Sequence, residues 1–112
     1  MIVSETFVVL CVADMARATA FYTRALGATV AFAIPTFTTL RIAGVRVGLA
    51  LDAAAAGHAS GLHFVADDLA AAAAEIERAG GRVTVAPREV APGVILLDAT
   101  DSEGNAFAIR AT

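Results

Sequence analysis

The sequence predicts an α+β fold in which two βαβββ modules follow one another along a chain of 112 residues. Three observations predict this fold. Two amphipathic helical patterns share the same start and stop signals, they are separated by a constant spacing, and each lies between one apolar strand and three β-rich segments. A module of about 50 residues buries too little apolar surface to be stable alone, so we expect both modules to pack into one domain.

The two helical patterns are marked at both ends. The first runs from Asp14, a suitable N-cap, to Gly27, which suits the left-handed position after a helix. The second begins at Asp68 and is closed by Gly80-Gly81, and Asp68 and Gly81 keep the spacing 68 − 14 = 54 = 81 − 27. Apolar residues recur on one face of each pattern, which predicts two amphipathic helices.

The segments around the helices have the composition of strands separated by Gly or Pro. In the first half, the predicted strands are Thr6 to Val12, Ala28 to Ile34, Thr36 to Ile42 and Val45 to Leu51. In the second half, they are Leu62 to Ala66, Arg82 to Ala86, Val94 to Ala99 and Asn105 to Ala111. A single domain over residues 1–112 is therefore predicted, with module 1 at 3–52, an alanine-rich linker at 53–60 and module 2 at 61–112.

Composition narrows the classes of partner. Hydrophobic residues make up 58% of the chain and charged residues 17%, which favours a folded protein. The net charge of -3 does not fit a nucleic-acid-binding surface. The longest apolar run, Phe7 to Ala13, is too short to span a membrane, and Glu5 without a preceding basic residue does not fit a secretion signal. We expect a cytoplasmic protein whose partners are a small molecule and another subunit.

Three short segments follow one another in order along the repeat. Val12-Ala13-Asp14 is followed by Phe21 to Gly27, Asp67-Asp68-Leu69 begins the second helix, and Asp101-Ser102-Glu103-Gly104-Asn105 forms a turn before the last strand. Together they resemble the motifs of the glyoxalase/bleomycin resistance/dioxygenase group, also called the vicinal oxygen chelate superfamily, with Ser102 where the family has Pro. The resemblance covers the whole chain and implies sheets that curl around a cavity, helices outside them, and a homodimer.

The resemblance also implies where metal ligands would lie. In metal-using members, four side chains from paired strands bind one divalent cation. The matching positions here are Phe7, Gly48, Gly61 and Ala108. None of these side chains can coordinate a cation, so the resemblance implies the fold without metal-dependent catalysis, and no cofactor is expected.

His63 is the one histidine inside a predicted strand. Strand alternation places it on the same face as Gly61, toward the predicted cavity, about 6.6 Å further along at roughly 3.3 Å per residue. That displacement favours contact with a ligand, or proton transfer, over metal binding. Cys11 shares the corresponding face of the first strand with Phe7, where it is either a small buried hydrophobe or a ligand contact. A nucleophilic Cys11–His63 pair is a further alternative, although no orienting carboxylate is evident.

Three other features have two interpretations each. Asp98 interrupts an apolar run and either faces the cavity beside a charge partner or leads into the following turn. Phe32, Ile34 and Phe37 flank Pro35, and they either belong to an apolar flap over a ligand or form core or dimer contacts. Single arginines on strands, such as Arg41, are either solvated or paired, and one facing the cavity would indicate an anionic ligand.

These observations leave three functions open. The favoured one is metal-independent binding or sequestration of a small apolar or aromatic molecule, which needs only an apolar concave site with a few polar groups. The alternatives are an enzyme of the lyase, isomerase or dioxygenase-like type that acts on a small oxygenated substrate, and a degenerate non-catalytic subunit. The predicted ligand-binding residues are Phe7, Cys11, Phe37, Gly48, Gly61, His63, Asp98 and Ala108.

Overall fold

The computed structural model describes residues 1–112 and contains two four-stranded sheets, one from each half of the chain. The elements are β1 (Val8–Val12), α1 (Met15–Leu26), β2 (Thr29–Ile34), β3 (Phe37–Ile42), β4 (Val45–Leu51), β5 (Ala59–Ala66), α2 (Leu69–Arg78), β6 (Arg82–Ala91), β7 (Val94–Thr100) and β8 (Ala106–Ala111). The strand orders are β1-β4-β3-β2 and β5-β8-β7-β6, with the first pair of each sheet parallel and the others antiparallel. The prediction of two tandem βαβββ modules is confirmed.

Both predicted N-caps are present. The carboxylate of Asp14 accepts a hydrogen bond from the backbone N–H of Arg17 at 3.0 Å, and that of Asp68 accepts one from Ala71 at 3.0 Å. Each bond satisfies one of the N–H groups that have no partner in the first turn of a helix. Gly27 follows α1 with φ 66°, as its position in the sequence predicts.

Gly80 and Gly81 follow the end of α2, as predicted, and they have different roles. The left-handed residue is Gly80, with φ 98°. Gly81 is required for space, because a Cβ atom on it would lie 2.5 Å from the ring of Phe21 and 2.5 Å from the carbonyl oxygen of Thr100. The two glycines that match in the repeat, Gly27 and Gly81, therefore have different physical roles.

Two strands of the second sheet are longer than predicted. Strand β5 begins at Ala59, so the last two residues of the predicted linker are part of a strand. Strand β6 continues to Ala91 instead of ending at Ala86. It continues past Pro87 because β6 is an edge strand, where a residue without an N–H group is tolerated.

A single hydrophobic core joins the two modules. The helices contact each other, and the ring of Phe21 on α1 packs edge-on against Phe107 on β8, with the ring centres 6.1 Å apart. The same core includes Leu10 and Leu49 from the first sheet and Ile76 from α2. The helices thus pack between the two sheets, outside the sheet faces on which the resemblance places the cavity. Neither helix is long and apolar enough to cross a bilayer. Within one chain the sheets do not close into a barrel, so the opposite face of each sheet is open, unlike the enclosed cavity that the resemblance implies.

The turn from Asp101 to Asn105 fastens module 2 to module 1. Asn105 is buried, and its side-chain amide donates to the carbonyl oxygen of Cys11 at 2.9 Å while its oxygen accepts from the N–H of Gly57 at 2.9 Å. The Tyr22 hydroxyl donates to Asp101 at 2.5 Å. Burial, together with the nearby Asp101 carboxylate, raises the pKa of Tyr22, so the phenol stays protonated and remains a donor.

Glu103, in the same turn, lies against the start of α1. Its side chain is 0% exposed and accepts hydrogen bonds from the N–H groups of Ala13 and Asp14, both at 2.9 Å, and from the Arg17 guanidinium at 2.7 Å. Burial alone would raise the pKa of Glu103. The hydrogen bonds, led by that from Arg17, outweigh burial and lower the pKa to about 2. The turn is therefore a structural joint between the modules.

Candidate functional site

The face of each sheet that points away from the helices carries the predicted site residues. In the second sheet, Ala108 on β8 lies between His63 on β5 and Asp98 on β7, so these three residues form one row across the sheet. In the first sheet, Gly48 on β4 lies between Val9 and Thr39 in the equivalent row. Side chains opposite each other in neighbouring strands share a face, so each row presents its side chains together.

The row in the second sheet lies in a pocket of about 340 Å³. Four of the predicted site residues line it: Gly61, His63, Asp98 and Ala108. Gly61, which has no side chain, and Ala108, which has a small one, leave the space open. His63 and Asp98 supply polar groups on either side. An apolar floor flanked by a few polar groups is the usual design of a small-molecule site.

Asp98 faces this pocket and has a charge partner. The Arg88 guanidinium donates to the Asp98 carboxylate at 2.8 Å and to the carbonyl oxygen of Leu96 at 3.3 Å. Of the two interpretations of Asp98 from the sequence, the structure shows a strand residue that is paired on the sheet face. The ion pair is partly exposed, so it is available to a ligand.

His63 is exposed on the same face. Its only hydrogen-bond contact joins Nδ1 to the carbonyl oxygen of Gly61 at 3.3 Å, which leaves the far edge of the ring free for a ligand. No group of three or more His, Cys, Asp or Glu side chains in the chain could hold a metal ion. His63 can therefore accept or donate a hydrogen bond, or transfer a proton, above Ala108.

The backbone at Gly61 explains the glycine there. Gly61 has φ 74°, a left-handed conformation that residues with a Cβ adopt reluctantly. It lies in an irregular part of β5, because Ala59 pairs with Ala106 but His63 already pairs with Ala108. This register places His63, and not Gly61, beside Ala108, a relationship that the spacing of the sequence did not predict.

The positions that match the family's metal ligands do not fit a metal ion in this structure. Phe7, Gly48, Gly61 and Ala108 have no donor atoms in their side chains, and the nearest neighbours of Gly48 and Ala108 across the parallel strand pairs are Val9 and His63. One imidazole cannot by itself complete the coordination of a divalent cation.

The face of the first sheet is occupied by its own side chains. A Cβ atom on Gly48 would lie 2.5 Å from the Phe37 ring, so Phe37 covers Gly48 closely and leaves no pocket there. Cys11 is half-buried on the same face, opposite Ala50. Since Cys11 and His63 lie on the faces of different sheets, no Cys–His pair is assembled on either sheet face.

A larger cleft lies between the modules and was not predicted from the sequence. Its volume is about 570 Å³, and twelve of its fourteen lining residues are hydrophobic, the exceptions being Gly27 and His63. Its walls come from the end of α1, the β3–β4 turn, β5 and α2, which only the folded chain brings together. His63 borders both cavities.

Comparison with known proteins supports the fold. A family model described as the glyoxalase/bleomycin resistance protein/dioxygenase superfamily matches residues 6–109. No curated protein matches the chain. The fold is similar to that of the fosfomycin resistance protein FosX from Listeria monocytogenes, with a TM-score of 0.83, 17% identity, and coverage of 100% of this chain and 95% of that one.

Two further solved structures are similar at comparable identity. A glyoxalase/bleomycin resistance protein from Albidiferax ferrireducens has a TM-score of 0.74 and 21% identity, with 98% and 99% of the two chains covered. A family enzyme from Burkholderia phytofirmans has a TM-score of 0.81 and 21% identity, with 94% and 95% covered. At such identities the likeness shows the fold alone.

Proposed function

Because the chain belongs to the glyoxalase/bleomycin resistance protein/dioxygenase superfamily, we propose that it is a cytoplasmic homodimer that binds a small apolar or aromatic molecule without a metal ion. The observation that carries this proposal is the pocket over Ala108. It combines a small apolar floor with His63 on one side and the Arg88–Asp98 pair on the other. Such a site can hold and orient a small molecule by apolar contact and a few hydrogen bonds.

Metal independence is supported by the side chains at the four matching positions. Phenylalanine, two glycines and alanine offer a cation no ligand, and the polar groups that are present, one imidazole and one carboxylate already paired with Arg88, do not make a metal site. Elemental analysis of protein purified without chelators tests this part of the proposal. A stoichiometric divalent ion would contradict it.

The dimer is supported by the open faces of both sheets. Phe7, Val9 and Phe32 on the first sheet are 45%, 42% and 54% exposed, and Val65 on the second is 65% exposed. Apolar side chains grouped on one face are usually covered by a partner. A second copy of the chain could cover both faces at once, with module 1 of each protomer over module 2 of the other, because a two-fold contact repeats itself.

The location of the site can be tested with two filling variants. Ala108→Ile adds a β-branched side chain to the floor of the pocket, whereas Ala72→Leu fills the inter-module cleft and serves as the control. A thermal-shift screen of small aromatic and α-oxo compounds identifies a ligand, and its affinity is then measured for each variant. Loss of binding in Ala108→Ile alone supports the proposal. Loss in Ala72→Leu alone would move the site to the cleft.

The contribution of His63 is tested separately. Its only hydrogen-bond contact is long, so His63→Ala should change the free energy of unfolding by less than about 0.5 kcal/mol. If His63 contacts the ligand, the same variant binds more weakly. Unchanged binding would exclude His63 from the site and leave Asp98 as the polar group to examine.

A further inference from the structure

More than half of the basic residues lie on the sheet faces that point away from the helices. All eight basic residues are arginines, and five of them lie on strands: Arg41, Arg46, Arg82, Arg88 and Arg110. The strand pairing places all five on the faces that point away from the helices. Asp98 shares those faces, and Glu5 reaches one of them from outside the strands. The open faces are thus positively charged in a chain whose net charge is -3.

Two of these arginines are neighbours. Arg41 on β3 pairs directly with Arg46 on β4, so their Cβ atoms lie about 4.5–5.5 Å apart on one face. Two like charges at that separation repel each other unless an anion lies near both. Arg41 makes no ion pair in the structure, and the Nε atom of Arg46 is buried without a hydrogen-bond partner. The pair therefore has unused donors as well as excess positive charge.

The present partner of Arg46 shows which chemistry the pair accepts. The Glu5 carboxylate forms an ion pair with Arg46. Glu5 precedes β1, and its side chain is 60% exposed, so a ligand could replace it without disturbing the sheet. The Arg46 guanidinium also lies 4.1 Å from the centre of the Phe7 ring. Phe7 and Val9 would provide exposed apolar surface beside an anion bound at this position.

We infer that Arg41 and Arg46 bind the anionic group of the ligand, a carboxylate attached to a small apolar body. This inference rests on the proposed function, since it specifies the class of molecule that occupies the site. If module 1 of one protomer covers module 2 of the other, as proposed, the sheet face that carries the arginine pair lies over the sheet face that carries the pocket. Enclosing two guanidinium groups would be unfavourable without an anion, and a carboxylate can accept hydrogen bonds from both.

The experiment uses benzoate as the probe and benzamide as its neutral counterpart, titrated calorimetrically at low ionic strength. Wild-type protein should bind benzoate more tightly than benzamide. Arg41→Gln should weaken benzoate binding about tenfold, the loss expected for a charged hydrogen bond. Arg24→Gln, which removes the same charge from α1, should leave it unchanged. Glu5→Gln should strengthen benzoate binding, because it removes the competing carboxylate.

Several results would overturn the inference. The arginine pair would be excluded as an anion site by any one of three results. These are equal affinity for benzoate and benzamide, an unchanged benzoate affinity in Arg41→Gln, and equal losses of benzoate affinity in Arg41→Gln and Arg24→Gln. The inference and the proposed function can also fail separately. If Ala108→Ile blocks a neutral ligand while benzoate shows no preference, only the inference fails. If Arg41→Gln weakens benzoate binding but Ala108→Ile does not, only the proposal that the ligand binds in the pocket over Ala108 fails.

Discussion

The side-chain amide of Asn105 donates a hydrogen bond to the carbonyl oxygen of Cys11, which lies 94 residues earlier in the chain, at a distance of 2.9 Å. The same side chain accepts hydrogen bonds from the N–H groups of Gly57 and His58 in the connection between the modules. One buried residue thus connects β1, the inter-module connection and the turn before β8. This segment, one of the three that mark the family in the sequence, is here a structural joint and does not line the pocket over Ala108.

Replacing Asn105 should therefore separate stability from binding chemistry. Asn105→Ala leaves a carbonyl oxygen and two N–H groups without their partner, and each unsatisfied buried group costs roughly 1–3 kcal/mol. We expect a loss of about 2–4 kcal/mol in the free energy of unfolding, measured by urea denaturation. Asp67→Asn, at an exposed residue without a hydrogen bond, is the control. A loss below about 0.5 kcal/mol in Asn105→Ala would contradict the role of the joint.

Glu103 should make the protein less stable in acid. Its pKa is lowered to about 2 in the folded state from 4.5, so between these values the unfolded chain binds more protons than the folded one. The stabilisation is present above about pH 4.5 and is lost as the pH falls toward 2. Urea unfolding midpoints measured across this range should decline for the wild type.

The pH dependence can be assigned to Glu103 with two variants. Glu103→Gln removes the titrating group, so it should be less stable than wild type at neutral pH and show a shallower decline in acid. Glu89 is an exposed carboxylate on an edge strand, so in Glu89→Gln the urea unfolding midpoint should decline with falling pH as steeply as in wild type. Identical slopes in wild type and Glu103→Gln would show that other carboxylates dominate acid unfolding.

Gly81 gives a test in which the sign of the effect is decisive. Where a glycine has an ordinary backbone conformation and open space, Gly→Ala stabilises a protein by about 0.4–1 kcal/mol. At Gly81 the added Cβ would meet the Phe21 ring and the Thr100 oxygen, so Gly81→Ala should destabilise by about 1–3 kcal/mol. Thermal unfolding measures the difference. A stabilised variant would show that the junction between α2 and β6 has room to relax.

Phe32 tests whether the open sheet face is a dimer contact. Phe32 lies opposite Thr39 in the row that contains Gly48 and is 54% exposed. Phe32→Glu should place a charge in the interface and shift the protein from dimer to monomer, measured by size-exclusion chromatography with light scattering. Ala74→Glu, on the exposed surface of α2, should leave the dimer intact. A wild-type protein that is monomeric at every concentration would contradict the dimer.

The sequence by itself determined the type and order of the helices and strands, although not the full lengths of β5 and β6. The N-caps Asp14 and Asp68 and the glycine after α1 were recognised because helix ends depend on a few neighbouring residues. Strand alternation likewise placed His63 on the face that points away from the helix, since the period of two is local. The resemblance of three short segments was enough to identify the superfamily.

The tertiary structure decided how these elements meet. The irregularity in β5 brings His63, and not Gly61, beside Ala108, and this register depends on the pairing of strands far apart in the chain. Packing against Phe21 gives Gly81 its role, and the pairing of β3 with β4 brings Arg41 next to Arg46. Local patterns specify the backbone conformation and the sheet face on which a side chain lies. Which side chains become neighbours depends on long-range contacts, for which a single sequence has no local signal.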